Sequence, residues 1–392
     1  MRFLILTQYF PPEVGAPQVR LLAMGKELKS QGHDVRVVTA MPSYPRGRVF
    51  AGYRGRWRLR EEIEGLPVTR TWIHAATGSG FGRLAGYLSF AMTSFLECLR
   101  GARPDYLFVE SPSLFLGATA WLASRLRRTS YIFNVSDLWP ESAVAMGLVT
   151  NRFLIGMAES LERFSYRHAA AVCAVTEGIR DEIAKTSVAK RVMLLPNGVD
   201  IEMFRRVDGN EGPVAMFVFA GTHGHAQGLE VIVEVARSLS SRPDIRFLFV
   251  GDGPEKRRLV ELARGMPSIE FRDAVPVREM PRIFSSARAS IVPLRKLELF
   301  KGARPSKVLP SLACETPVIY SGEGETAALL ETEGCGLAVE PECPEKLAEA
   351  VVRLADDPAL ARAMGRRGRA LVEREYSWEH ITDRWLHELG AA

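Results

Sequence analysis

Short, wholly apolar runs alternate along this chain with longer segments whose apolar positions recur every three to four residues. Near the start, RFLILTQYF reads as a buried strand and APQVRLLAMGKELKSQG as a helix closed by Gly32. DVRVVTA is the next strand, followed by DYLFVES, SYIFNVS and AAVCAVT, with the helical SLFLGATAWLASRLRR and EGIRDEIAK placed among them. A strand without polar alternation has no solvent face, so this order predicts a parallel sheet covered by helices on both sides.

The same scheme begins afresh past the midpoint. VAMFVFAG, IRFLFVGDG, IEFRDAV, ASIVPL and TPVIYSG are strands, separated by the helical LEVIVEVARSLSS, PEKRRLVELARG, VREMPRIFSSA and PSKVLPSLACE. Between the halves, LLPNGVDIEMFRRVDGNEGP is polar and turn-rich, a linker near residues 196–212. At 392 residues the chain is too long for one ordinary core. The pattern therefore predicts an α/β protein of two doubly wound, Rossmann-like domains, 1–195 and 213–375, with a C-terminal helix over 376–392 returning to the first. Two such sheets facing a central cleft would set their ligand edges towards one another, a layout suited to two substrates.

Charge adds an asymmetry to this picture. Residues 1–190 hold 24 Lys and Arg against 16 Asp and Glu, and the remainder 27 against 30. The densest basic stretch, RGRVFAGYRGRWRLR, interleaves Arg46, Arg48, Arg54, Arg56, Arg58 and Arg60 with Phe50, Tyr53 and Trp57. Arginine with interfacial aromatics suits an anionic membrane surface or a phosphorylated acceptor, and equally a solvated loop with structural ion pairs. The most apolar run, Leu84 to Leu96, is about 13 residues against the roughly 20 that a span needs, so it reads as a packed or surface-docked helix. Nothing points to a nucleic-acid partner. Five scattered cysteines without ligand spacing, and a start without a cleavable signal pattern, predict a reduced, cytoplasmic protein with peripheral membrane contact at the inner face of the plasma membrane.

Six motifs in a fixed order carry the chemistry: YFPPEVGAPQVR, NVSDLWPES, LPNGVD, FAGTHGHAQGLE, FVGDGPEK and PSKVLPSLACETPVI. Together they resemble family 4 glycosyltransferases of the GT-B fold over nearly the whole chain. They look most similar to the fucosaminyltransferase-like branch of bacterial capsule, O-antigen and exopolysaccharide assembly. The resemblance implies a hexosyltransferase-type glycosyltransferase. Such an enzyme moves a sugar from a nucleotide-diphosphate donor, UDP-linked, to a lipid-linked saccharide acceptor, with retention of configuration. It implies no cofactor beyond the nucleotide sugar itself, and no Asp-x-Asp motif or carboxylate cluster is present for a metal.

In the first domain, the loop from Pro11 to Arg20 puts Gly15 where backbone approaches a ligand, with a helix N-terminus behind it and Arg20 as a phosphate contact. A tight turn with a surface arginine is the bland reading. Asp137 falls at the carboxyl end of a strand with Glu141 about one turn on, so Asp137 either takes the acceptor hydroxyl proton or caps a helix.

In the second domain, the family pattern sets an arginine after Gly221 and a lysine before the next glycine, both on the donor diphosphate. Thr222 and Gln227 stand there instead. The amides of Gly221 to Gly224 are then expected to receive phosphate, and His223 to donate to it. Lys307, with Ser306 beside it, becomes the leading charge, joined by Arg295 or Arg304, while Gly251 and Gly253 permit close approach. Relatives also carry two glutamates eight positions apart, the second on the ribose. Here Gly302 and Pro310 occupy those positions, Glu315 replaces a usual glycine, and Glu315, Glu323 or Glu325 are the substitutes at hand. These departures leave a catalytically degenerate scaffold as an alternative, beside a sugar-nucleotide epimerase of the same fold. A dehydrogenase is disfavoured, because neither glycine loop completes G-x-G-x-x-G.

Overall fold

The computed structural model describes residues 1–13, 15–44, 47–76, 81–111, 113–141, 144, 149–207 and 214–390. Arg46 of the basic stretch, residues 208–212 of the expected linker and residue 213, the expected start of the second domain, lie outside them. The chain divides into two units, Met1–Asn197 with Ile381–Ala392, and Gly198–His380.

The first unit is built on the strands β1 (Arg2–Leu6), β2 (Asp34–Ala40), β3 (Arg58–Ile63), β4 (Leu66–Thr71), β5 (Tyr106–Glu110), β6 (Ser130–Val135), β7 (Ala171–Ala174) and β8 (Val192–Leu194). They form one sheet in the order β3-β4-β2-β1-β5-β6-β7-β8. Every pair is parallel except β3–β4, which is antiparallel. That hairpin is absent from the hydrophobic pattern, because β3 reads RLREEI and lies half in solvent at the sheet edge. Its turn is Glu64–Gly65, with φ 49° and 83°, the pair of left-handed residues that a tight hairpin requires. Charge on an edge strand also discourages pairing with other chains.

Helices α1 (Ala16–Ser30), α2 (Phe81–Cys98), α3 (Phe115–Arg127), α4 (Arg152–His168) and α5 (Glu177–Lys185) cover this sheet. Phe3, Leu4, Ile5 and Leu6 of β1 are all buried, as expected of a strand with no solvent face. The C-terminal helix, Trp378–Gly390, contributes Trp385 to the same core. Its ring lies 5.8 Å from those of Phe3 and Phe108, and its indole N–H points at Cys173 Sγ, 3.3 Å away.

The second unit holds β9 (Ala215–Ala220), β10 (Ile245–Val250), β11 (Ile269–Arg272), β12 (Ala289–Pro293), β13 (Val318–Ser321) and β14 (Gly336–Val339). Its sheet runs β11-β10-β9-β12-β13-β14, all parallel. Counted from β9, that is the 3-2-1-4-5-6 order of dinucleotide-binding sheets. Between and after the strands run α6 (Glu230–Ser238), α7 (Lys256–Leu262), α8 (Met280–Ser286), α9 (Val308–Ala313), α10 (Glu325–Thr332), α11 (Pro344–Asp356) and α12 (Pro358–Leu371). Alternate residues of β9 and β10 enter different cores, Phe217, Phe219, Phe247 and Phe249 on one face and Val218, Leu248 and Val250 on the other. Both faces being covered explains the unbroken apolar runs.

Candidate functional site

In the second unit the strand order reverses between β9 and β12, and open α/β sheets bind ligands outside the carboxyl ends at such a point. The loops after β9 and β10 lie directly on one another there. Gly251 has φ 139°, and a Cβ on it would stand 2.0 Å from the Gly221 carbonyl oxygen; one on Gly253 would stand 2.5 Å from that of His223. Only glycine permits this approach. The His223 amide donates to Asp252 O at 2.9 Å, and the Glu255 amide returns a bond to His223 O at 3.0 Å.

Lys307 meets these loops from the connection that precedes α9. Its ammonium lies 4.4 Å from the centre of the Phe219 ring, and a Cβ on Gly221 would come within 3.3 Å of it. Among the described residues no carboxylate pairs with it. Burial alone pushes its pKa from 10.5 down to about 8. A half-buried cation without a counter-ion is a standing cost, relieved when an anion arrives. Lys256, the other lysine beside these loops, is already occupied: it donates to Gly251 O at 2.8 Å and pairs with Asp273 at 2.6 Å.

Several expected contacts are spent inside the fold. Of the four amides from Gly221 to Gly224, that of Gly221 donates to Val250 O at 2.9 Å, that of His223 to Asp252 O, and that of Gly224 to the Gln227 side chain at 3.1 Å. Thr222, exposed at the loop tip, keeps the one amide with no acceptor among the described residues. Gln227 thus braces the loop. His223 does not face a ligand either: it is fully buried among Phe219, Phe249 and Phe271, with neither ring nitrogen partnered. Burial first, then the cation of Lys256, lowers its pKa to about 4 and keeps it neutral.

Arg295 is a strap rather than an open charge. Its guanidinium donates to His225 O at 2.7 Å and pairs with Glu230 at 2.6 Å and Glu342 at 2.9 Å. Arg304 pairs with Glu325 and lies 4.9 Å from the Tyr376 ring centre, which removes one of the ribose candidates as well. Glu315 follows α9 and precedes β13, so it sits at the amino end of that strand, on the edge opposite the glycine loops. Its φ of 56° is the left-handed helix-terminal conformation that glycine usually supplies. Glu323, after β13 at the carboxyl edge, is 39% exposed and 3.7 Å from Lys301, and remains accessible. Ser306 is exposed beside Lys307.

In the first unit, Gly15 caps α1 with extended backbone (φ 173°), a conformation open to any residue, and a Cβ there would stand 2.6 Å from Gln18 Oε1. Arg20 is not a surface group. It is 9% exposed, pairs with buried Glu110, and donates to Ser136 Oγ at 2.6 Å and Asn197 Oδ1 at 3.0 Å. Asn134 completes the network with a 2.8 Å bond to Glu110. Arg20 therefore ties α1 to β5 and β6, its charge neutralised from within. Asp137 stands exposed just beyond β6, at the carboxyl edge, with Glu141 exposed further on. Partial burial and then Glu182 raise the Glu141 pKa, against the opposing pull of Lys185.

Glu13 was not singled out by its sequence. It is buried in the first loop, where it accepts from the amides of Ser43 (2.7 Å), Tyr44 (2.8 Å) and Phe10 (3.3 Å). An acidic residue inside the apolar run FPPEVG is the signal that could have found it. Among the described residues no cluster of three His, Cys, Asp or Glu side chains could hold a metal, and no helix is long and apolar enough to cross a membrane.

Comparison with known proteins places this geometry in context. Residues 15–198 match the family model described as a glycosyl transferase 4-like domain, and residues 214–357 that of glycosyl transferases group 1. The chain is 27% identical to the putative colanic acid biosynthesis glycosyl transferase WcaI of Escherichia coli K12, covering 88% of this chain and 90% of the relative. It is 26% identical to the 2-deoxystreptamine glucosyltransferase of Streptomyces kanamyceticus, over 93% and 95% respectively. Among solved structures, sucrose-phosphate synthase of Thermosynechococcus elongatus superposes with a TM-score of 0.77 at 18% identity, covering 100% of this chain and 99% of the other. HepE of Anabaena, solved in complex with UDP-glucose, does so with 0.75 at 14% identity and full coverage of both.

Proposed function

Since the chain belongs to the family 4 glycosyltransferases of GT-B fold and is a hexosyltransferase-type enzyme, we propose that it moves a sugar from a UDP-linked donor to a lipid-linked saccharide, with retention, in cell-surface polysaccharide assembly. The observation that carries this reading is Lys307, a half-buried cation at the switch point of the second sheet that pairs with no carboxylate among the described residues. The name of the WcaI relative supports the polysaccharide, and the UDP-glucose complex of HepE supports the nucleotide.

In this reading the donor diphosphate lies against Lys307 and the Thr222 amide, and Glu323 accepts from the ribose hydroxyls. The bond from the anomeric carbon to the diphosphate breaks, its electron pair leaves on the phosphate oxygen, and the acceptor oxygen bonds the same carbon. Negative charge grows on the diphosphate during that step, so Lys307 contributes most in the transition state. The acceptor hydroxyl gives up its proton to Asp137, the exposed carboxylate at the ligand edge of the first sheet.

The test is transfer itself. Purified protein is titrated calorimetrically with UDP-, GDP- and dTDP-sugars, then supplied with polyprenyl-diphosphate-linked saccharides, and the product linkage is read by NMR. A UDP-sugar that binds and is transferred with its anomeric configuration kept supports the proposal. If no nucleotide binds, the role given to Lys307 is wrong.

A further inference from the structure

Arginines in and near the basic stretch of the first unit are of two kinds. Arg58 pairs with Glu97 at 2.7 Å, and Arg70 with Glu61, so these hold the β3–β4 hairpin in place. Among the described residues Arg48 and Arg54 pair with no carboxylate, and the one bond Arg54 makes to them runs from Nε to Val49 O at 3.0 Å. Both line an open cavity of about 520 Å³, together with Trp72 and His74. The segments that supply them follow β2 and β4, so the cavity opens at the carboxyl edge of the sheet, the edge that also carries Asp137.

This cavity runs alongside α2. Thr93 donates to Trp72 O at 2.7 Å, and the His74 amide donates to Ser89 Oγ at 2.9 Å, which fixes the cavity wall to that helix. On its solvent side α2 exposes Leu84, Leu88, Met92 and Leu96, at 38%, 43%, 73% and 54%. The spacing of four residues makes them one continuous stripe. Trp57, 69% exposed, extends the apolar surface, its ring 4.9 Å from that of Trp72. Unpaired guanidiniums beside an unpartnered apolar stripe complement a ligand with an anionic head and a long hydrocarbon tail, and match neither water nor a folded partner so well.

We propose that the Arg48–Arg54–Trp72–His74 cavity binds a phosphate group carried on a lipid, whose chain lies along the Leu84–Leu96 stripe of α2. The inference rests on the reading of a lipid-linked acceptor and deepens it, giving the acceptor's phosphate a place on the first unit. The bidentate arginine forks take the phosphate oxygens, and the aliphatic stripe takes the tail.

Farnesyl diphosphate is the probe, titrated against the full-length protein by tryptophan fluorescence, with inorganic diphosphate and farnesol as controls. Farnesyl diphosphate is expected to bind more tightly than either control. Replacing both Arg48→Ala and Arg54→Ala should weaken it roughly a hundredfold, about a factor of ten for each charge-assisted contact. Leu88→Glu with Met92→Glu should weaken it too while leaving inorganic diphosphate unaffected. Competition from phosphatidylglycerol vesicles would show a bulk lipid headgroup in the cavity and overturn its assignment to the acceptor; absence of competition supports that assignment. UDP binding, measured on every variant, reports folding and the second unit. Equal farnesyl diphosphate binding by wild type and the double arginine variant, or none by a wild type that binds UDP, overturns the proposal. Loss of UDP binding alone counts against the glycosyl-transfer reading instead.

Discussion

Replacing Lys307 with methionine should make the free protein more stable and the enzyme inactive. Desolvation holds the ammonium pKa at about 8 instead of 10.5, which corresponds to roughly 3 kcal/mol against the charged form in the folded state. Loss of the cation–π contact with Phe219 removes about 1 kcal/mol of that gain. The net is about 2 kcal/mol, or roughly 4–8 °C in the melting transition of a unit this size. The sign follows from proton binding. Below pH 8 the wild type carries the whole penalty; between 8 and 10.5 its folded state sheds the proton and the advantage of the variant shrinks to nothing. Differential scanning calorimetry at pH 7 and pH 10 measures it. With UDP present the order should reverse, because only the wild type gains a bound anion. A Lys307→Met variant that melts lower than wild type at pH 7 would show that the lysine is a structural support, and the argument from its missing counter-ion would fail.

Three further outcomes follow from the same geometry. Glu315→Gly should stabilise by about 1 kcal/mol, because the left-handed backbone suits glycine, and should leave turnover unchanged from the far edge of the sheet; a fall in turnover would return Glu315 to the donor site. Arg20→Ala should cost about 3–5 kcal/mol by leaving Glu110 buried without its cation, seen in chemical denaturation, with UDP affinity unaltered. Between pH 6.5 and 4 the wild type should lose roughly 3 kcal/mol as the unfolded chain takes up a proton that buried His223 refuses, whereas His223→Leu should be flat at this position and bind UDP as before.

The parallel strands and the second glycine loop were legible because each is local: an unbroken apolar run signals burial on both faces, and the run FVFAG ends in the turn that follows it. The β3–β4 hairpin was not, since RLREEI alternates charge rather than apolar residues and is held by its register with β4. Lys307 was legible from PSK, although the lack of a carboxylate beside it among the described residues was not. What the sequence misassigned were the arginines. Arg20 and Arg295 read as open cations because their carboxylates, Glu110, Glu230 and Glu342, lie 47 to 90 positions away and only the fold brings them together. His223 read as a loop donor for the opposite reason: nothing in GTHGH reveals that three phenylalanines close over the ring. Glu315, in place of a usual glycine, looked like a compensating carboxylate, whereas it occupies the glycine's backbone conformation at the wrong end of the strand.

The most direct test of the account is a crystal structure of the full chain with UDP bound. A diphosphate oxygen within hydrogen-bond distance of Lys307 Nζ, with the Thr222 amide as a second donor, is the predicted result. UDP seated away from the Gly221 and Gly251 loops, with the Lys307 ammonium still resting on Phe219 and touching no phosphate, would contradict it.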